Sequence, residues 1–326
     1  MKPNEKIIFI GDVHLNEWSL FAKPVKFNNM FFNSRLLEQL NVLEQILIFV
    51  AMNNYKVVVL LGDVFHRFTI QTFFVFDFFL KKLAEIADEI YLLAGNHDYI
   101  DETKNLTYFD YFNYEKLKVI KDLEIINGIG FLPFIRDEEI GNYKLKILLN
   151  KGIDTLIMHN NIEDMPIRQG IRTKGLSKQL LKRFKYVING HYHDFGQFKT
   201  YEGHLFNVGA IMDTTFVDAN SPQKGIFEFD FSSKTWKRYE LKYKQFLILD
   251  AKELENLGEE VKKNSYIRIK VEAEDLESVK NFKNIEVLVK PKRKEYKVLT
   301  LEEALKQVAS EYKDKDLAER FIFSLL

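Results

Sequence analysis

Short apolar runs recur along the first two thirds of the chain, and each stops at a glycine or a histidine. Residues 7–10 end at Gly11, 57–61 at Gly62, 90–94 at Gly95, 155–158 at His159, and 186–189 at Gly190. A continuous apolar run of this length is what a strand covered on both faces produces. Between the runs lie stretches with helical periodicity at 35–52, 72–87 and 177–184. Strands alternating with helices predict an α/β sandwich.

From about Phe227 the pattern changes. Residues 227–231 and 236–241 read as a hairpin turning at Ser232-Ser233-Lys234. Beyond Tyr243 come a strand at 247–249, a helix near 252–262, an alternating strand at 266–271, a helix at 274–282 and a strand at 285–289. These predict a small α+β unit, with a boundary near Lys242. Two short amphipathic helices are expected at 301–312 and 316–326. The expected organisation is therefore 1–242, 243–298 and 299–326.

The chemistry sits at the strand ends. Six of the seven histidines fall in five motifs: Gly11-Asp12-Val13-His14, Gly62-Asp63-Val64-Phe65-His66, Gly95-Asn96-His97-Asp98, Met158-His159-Asn160 and Gly190-His191-Tyr192-His193. Only His204 stands apart. In open α/β sheets the ligand site lies beyond the carboxyl ends of the strands, so motifs far apart in sequence converge there. Imidazole and carboxylate hold borderline divalent metals. Asp12 and His14, two apart on an extended segment, face one side. The Asp63 carboxylate has two oxygens and can bridge two ions. The Asn96 amide oxygen is a neutral hard donor. His97 beside it can serve as a proton donor, with Asp98 expected to hold its imidazole in place.

Taken singly, each motif has a plainer explanation. Asp12 and Asp63 are turn residues, Asn96 is a helix cap, and His159 is a core histidine. These explanations predict no common order or placement.

Composition narrows the field. With no cysteine among 326 residues, thiolate zinc sites and disulfides are excluded. A hydrophobic content of 46% supplies an ample core. The net charge of zero excludes a global basic field as the basis of nucleic-acid binding, leaving local patches. The densest of these is Lys290-Pro291-Lys292-Arg293-Lys294, a run that fits either phosphate contact or a solvated loop. No apolar run is long and clean enough to span a bilayer, and the polar start is not expected to be a signal peptide. A cytoplasmic location, in a prokaryote or a phage-infected host cell, is the expectation.

In their order, D-x-H, G-D, G-N-H-D, H and G-H-x-H, the motifs resemble the signature of the calcineurin-like metallophosphoesterase superfamily. The resemblance implies a β-sandwich flanked by helices with two divalent metal ions. One ion takes Asp12, His14, Asp63 and His193, and the other Asp63, Asn96, His159 and His191. His97 becomes the catalytic non-ligand. It implies hydrolysis of a phosphoester by metal-activated hydroxide. The oxygen and nitrogen donors suit Mn2+ best, with Mg2+, Zn2+ and Fe2+ also compatible.

Gly62-Asp63-Val64-Phe65-His66 is further similar to the G-D-x-F-H/D block of the SbcD and meiotic-recombination-eleven type of DNA repair nuclease subunit, including compact phage recombination subunits. That likeness places His66 near the metals, orienting substrate or His97. The long insertion after His14 and the C-terminal unit, read as a DNA-gripping capping domain, fit the same branch. Two departures stand out: Asn16 where the family has glycine, and Asn207-Val208-Gly209-Ala210-Ile211 where it has Gly-Ser/Thr-Pro.

The implied activity is a DNA exonuclease/endonuclease in recombination and double-strand-break repair. The implied partners are DNA and an SMC-like ATPase of the SbcC type, with the terminal helices as a docking segment. The apolar stripe Leu317, Phe321, Leu325 equally suits a cap on the small domain. A homodimer through 35–52 or 72–87 is an expectation by analogy. The alternative enzyme is a phosphatase or cyclic-nucleotide phosphodiesterase on the same core. A third possibility is a non-catalytic scaffold, which the intact set of ligand types opposes.

Overall fold

A computed structural model describes residues 6–27, 30–165, 173–271 and 285–289. Two six-stranded sheets form its centre. The first runs, edge to edge, Thr235–Glu240, Gly225–Asp230, Lys6–Ile10, Val57–Leu60, Glu89–Leu93 and Leu117–Ile120. Its last four strands are parallel. The second runs Gly196–Lys199, His204–Asn207, Tyr186–Asn189, Thr155–Met158, Ile129–Leu132 and Glu124–Ile126, with four parallel strands at its centre.

Alternation along each strand assigns the layers. Ile7, Phe9, Val57 and Val59 point between the sheets, where they meet Phe131, Ile157, Ile188, Phe206, Phe227 and Phe229. Ile8, Ile10, Val58 and Leu60 point outward to the helices Ser34–Met52 and Ile70–Ile86. Leu132, Leu156, Met158 and Val187 do the same on the far side, against Leu145 and Leu148 of the helix Glu138–Asn150. The result is helix, sheet, sheet, helix. Both faces of the strands Lys6–Ile10, Val57–Leu60, Glu89–Leu93, Thr155–Met158 and Tyr186–Asn189 are covered along most of their length, which is why those segments read as unbroken apolar runs.

The helices begin where local chemistry dictates. Asn33 caps Ser34–Met52 by accepting from the amides of Arg35 and Leu36. Thr69 and Thr72 form a reciprocal capping pair at the start of Ile70–Ile86.

Some expectations change in detail. The helix expected at 177–184 is shorter, Lys178–Leu181, capped by Ser177. The helix expected near 252–262 is two, Ala251–Glu255 and Glu259–Lys263, because Gly258 interrupts it in extended backbone. The long insertion after His14 contains a hairpin, Pro24–Phe27 with Met30–Asn33. The hairpin at the end of the first sheet turns through residues 231–234, with Lys234 at positive φ.

A separate three-stranded parallel sheet, Gln245–Asp250, Ser265–Val271 and Ile285–Val289, follows. Phe246 and Tyr266 cluster with Phe216 and Ala219 of the preceding loop, so the appended sheet is seated on the core. The expected helices at 274–282, 301–312 and 316–326 and the basic run 290–294 lie outside the described residues. Among the described residues no helix is long and apolar enough to cross a membrane.

Phe206 is fully buried and its ring lies 4.9 Å from Phe227 and 5.0 Å from Trp236, spanning the gap between the sheets. Phe206→Ala is expected to cost about 3–5 kcal/mol, read by denaturant unfolding. A cost below about 1 kcal/mol would mean that the two sheets do not share this core.

Candidate metal centre

All five motifs sit where a parallel strand ends. Those carrying Asp12, Asp63 and Asn96 come from the first sheet, and those carrying His159 and His191 from the second. The chain leaves three of these strands by left-handed backbone: His14 has φ 50°, Asp63 φ 48° and His191 φ 75°. Such conformations are uncommon outside glycine and cost of the order of 1–3 kcal/mol each. Gly62, at φ 96°, makes the first of two left-handed steps into Asp63. A Cβ there would fall 2.7 Å from the amide of Gly95 and 2.8 Å from His159 Nδ1. Glycine therefore serves both the turn and the close approach of three loops.

Among the described residues three groups of donors result, of which two are built on a carboxylate and the third is His14 with His66 and His97 at the rim. Asp12, His14 and His193 converge in one of the two, and Asp63, His159 and His191 in the other. In the first, the Nε2 atoms of His14 and His193 lie 3.1 Å apart. In the second, Asn96 Oδ1 lies 3.3 Å from His159 Nε2 and 2.9 Å from His191 Nδ1. Asp63 Oδ2 stands between the groups, 3.7 Å from His14 Nε2 and 3.4 Å from His159 Nε2. The seven residues Asp12, His14, Asp63, Asn96, His159, His191 and His193 are thus brought together.

Outer contacts orient the rings. His159 Nδ1 lies 2.5 Å from Leu61 O, which leaves Nε2 for the centre. His191 Nε2 lies 2.7 Å from Asn161 Oδ1, which leaves Nδ1. His193 Nδ1 lies 2.8 Å from Asp218 Oδ1, which leaves Nε2. These are the partners that set tautomer and aim in metal sites. Asp12 Oδ1 accepts from the His191 amide at 2.9 Å, while Oδ2 is buried with no hydrogen-bond partner. A buried carboxylate oxygen without a donor is costly, and a cation between Asp12, His14 and His193 removes that cost. The residues present fit divalent metal ions.

Electrostatics agrees. Burial drives the His14 and His191 imidazoles down to about 3, so both are neutral and free to ligate. Burial also pulls His159 down, but Asp63, with Asp12 and Asp98, pushes it up to about 9. Burial raises the Asp63 carboxyl, yet His159 and His14 outweigh it and hold it well below the carboxylate range. Carboxylates that keep a proton on a buried imidazole offer a divalent cation the same field at twice the charge.

At the rim, His97 and His66 are exposed and stacked, with ring centroids 5.2 Å apart. His97 meets His14 edge-on at 5.0 Å. The Trp18 ring lies 4.6 Å from that of His66. Asp98 departs from the expected role. It is fully buried and its carboxylate accepts from the amides of Val64, Phe65 and Gly95, so it braces two strand-end loops and does not hold the His97 ring. The His97 amide is held instead by Asp63 Oδ1 at 2.9 Å. His204 lies elsewhere, against Trp236.

Asn160 of the fourth motif and residues outside the motifs complete the site. Trp18, Asn161 and Asp218 make the contacts given above. Asn160, Asn189 and Asn207, all buried, form a ladder across the ends of adjacent strands. The Asn160 amide donates to Asn189 Oδ1 at 3.0 Å, Asn189 Nδ2 donates to Asn207 Oδ1 at 3.3 Å, and Asn207 Nδ2 donates to the carbonyls of Tyr192 and Asp194.

A family model described as calcineurin-like phosphoesterase matches residues 5–195, a stretch that contains all five motifs. No curated protein matches the chain. Among solved structures it is similar to an archaeal phosphodiesterase, at 14% identity over 72% of this chain and 99% of that one, with a TM-score of 0.38. It is also similar to Vps29 of Entamoeba histolytica complexed with zinc, at 14% identity over 72% and 97%, with a TM-score of 0.32. A purple acid phosphatase of yellow lupin, Lupinus luteus, aligns at 12% identity over 73% and 53%, with a TM-score of 0.41.

Without metal, the raised His159 pKa contributes stability that is complete below pH 6.5 and is lost as the pH rises through about 9. At pH 7 this imidazole is charged, and it must lose its proton to ligate. Adding a divalent metal at pH 7 should therefore release about one proton or more per chain. Calorimetry in buffers of different ionisation enthalpy measures it. No release at pH 7 would remove His159 from the ligand set.

Proposed function

Since the chain belongs to the calcineurin-like phosphoesterase family, we propose that it is a two-metal DNA exonuclease/endonuclease subunit working in recombination and double-strand-break repair. Asp12, His14 and His193 would hold one ion, and Asn96, His159 and His191 the other. Asp63, whose Oδ2 lies between the two groups, would serve both. Two divalent ions, Mn2+ in this reading, would supply Lewis acidity toward a phosphoryl group and toward water.

The chain's own residues do the rest. His97 is exposed beside the ligands and held at its backbone by Asp63, so its ring can reach a leaving oxygen from the solvent side and give it a proton. His66 stacks on His97 and limits where that ring can turn. Trp18 packs against His66. Asp98 fixes the separation of the Asp63 and Asn96 loops and acts on the reaction only through them.

The observation that carries the nuclease reading is the His66–His97 stack at the mouth of the centre, built from the Gly62-Asp63-Val64-Phe65-His66 motif. The appended sheet, seated on the loop that carries Asp218 and so joined to the His193 side of the centre, supports it as added surface for a long polymeric substrate. In this reading an SMC-like ATPase is the partner that presents the DNA.

On linear duplex DNA with Mn2+, alone and with a candidate ATPase, the chain should release nucleotides or nick the strand. Inert DNA beside brisk turnover of p-nitrophenyl phosphate or a cyclic nucleotide would sink the nuclease reading in favour of a phosphatase or cyclic-nucleotide phosphodiesterase. His97→Ser should retain both metals and lose about 10²–10⁴-fold in turnover. Loss of metal in that variant would make His97 a ligand.

A further inference from the structure

The loop from Asp213 to Asn220 touches the metal centre on one side and the appended sheet on the other. Towards the centre, Asp218 Oδ1 lies 2.8 Å from His193 Nδ1. Its Oδ2 accepts from Thr214 N and Thr214 Oγ1, both at 2.9 Å. Asp218 is 3% exposed and Lys224 is 1% exposed. The Lys224 ammonium lies 3.4 Å from Asp218 Oδ1 and 3.8 Å from Asp213 Oδ1, and it donates to the His193 carbonyl at 2.9 Å. Both the ring and the backbone of His193 are therefore held by one buried ionic group.

Towards the appended sheet, Asp213 Oδ2 accepts from the Phe246 amide at 3.2 Å, and the Asn220 amide donates to the Phe246 carbonyl at 3.0 Å. The Asn220 side chain pairs with Ile248, accepting from its amide at 3.1 Å and donating to its carbonyl at 3.0 Å. Arg35, 1% exposed, closes the circuit. It donates to the Thr214 carbonyl at 3.1 Å while its guanidinium lies 4.3 Å from the centre of the Tyr266 ring and 4.9 Å from that of Phe246.

We propose that the appended sheet sets the metal affinity of one half of the centre, through Asp218 acting as the positioning residue of His193. The inference rests on the two-metal reading and adds an asymmetry to it. The outer partners of the other half are Leu61 O for His159 and Asn161 for His191, and neither belongs to this loop. Displacing the sheet thus loosens the Asp12–His14–His193 group and leaves the Asp63–His159–His191 group intact.

The test uses the full chain with Mn2+ as the sole added ligand, reading stoichiometry by metal analysis and affinities by calorimetry. The unaltered chain should bind two ions. Asp218→Asn should keep one at unaltered affinity and weaken the other about 10–100-fold, the usual range for loss of such a partner. Asn220→Gly carries the proposal should that variant not fold. Asn220 is exposed at φ 60°, and glycine keeps this backbone while removing the Ile248 contacts. It should weaken the same single ion, by a smaller factor. Two unaltered affinities in Asp218→Asn, or equal weakening of both ions, would overturn the positioning role. Unaltered affinities in Asn220→Gly would overturn the role of the sheet. An unaltered chain that binds no Mn2+ refutes the two-metal reading itself.

Discussion

Asp63 is the residue through which the separate strand ends become one site. Its carbonyl accepts from the amides of Val13 and His14, which ties the first strand end to the second. Its Oδ1 takes the His97 amide, which ties in the third. Its Oδ2 faces His14 on one side and His159 on the other, so it also reaches across to the second sheet. An almost fully buried carboxylate is expensive unless its oxygens are answered by donors or cations. Here each oxygen has its own, the His97 amide at Oδ1 and the His159 imidazole at Oδ2. The carboxylate is thus a structural joint whatever it binds.

Around that joint the packing is arranged so that the sheets cannot slide. Large aromatic side chains fill the space between them, and the paired helices cover the outer face of the first sheet with Phe76 buried against Phe65, Phe79 and Phe109. Close-packed contacts of this kind resist displacement of one sheet past the other. That resistance is what lets donors from five loops meet over a few ångströms.

Much of this was legible in the sequence because two strong signals coincide. Buried parallel strands leave unbroken apolar runs, and chemistry placed at their ends leaves motifs at fixed offsets from them. Strands of other character were not legible. Ile129–Leu132 has Gly130 in its middle, and His204–Asn207 opens and closes with polar residues, so neither stands out from its surroundings. The function of Asp98 could not be read from its neighbourhood to His97, because its partners are backbone amides of a loop more than thirty residues earlier. Asp218 reaches His193 across 25 residues that include the two strands Gly196–Lys199 and His204–Asn207, and no periodicity links the two. Local composition reports burial and turns. It does not report which distant carboxylate turns an imidazole.

The asparagine ladder separates two duties that proteins often combine. Asn160, Asn189 and Asn207 space the strand ends with amides, which carry no charge at any pH and take no part in proton exchange. The imidazoles and carboxylates above them change charge with acidity, while the floor they stand on does not. Acid that strips a metal from such a site leaves the spacing of the second sheet's strand ends in place. The pH dependence of the centre resides in its imidazoles and carboxylates, and not in the amides that space the ends of the second sheet's strands.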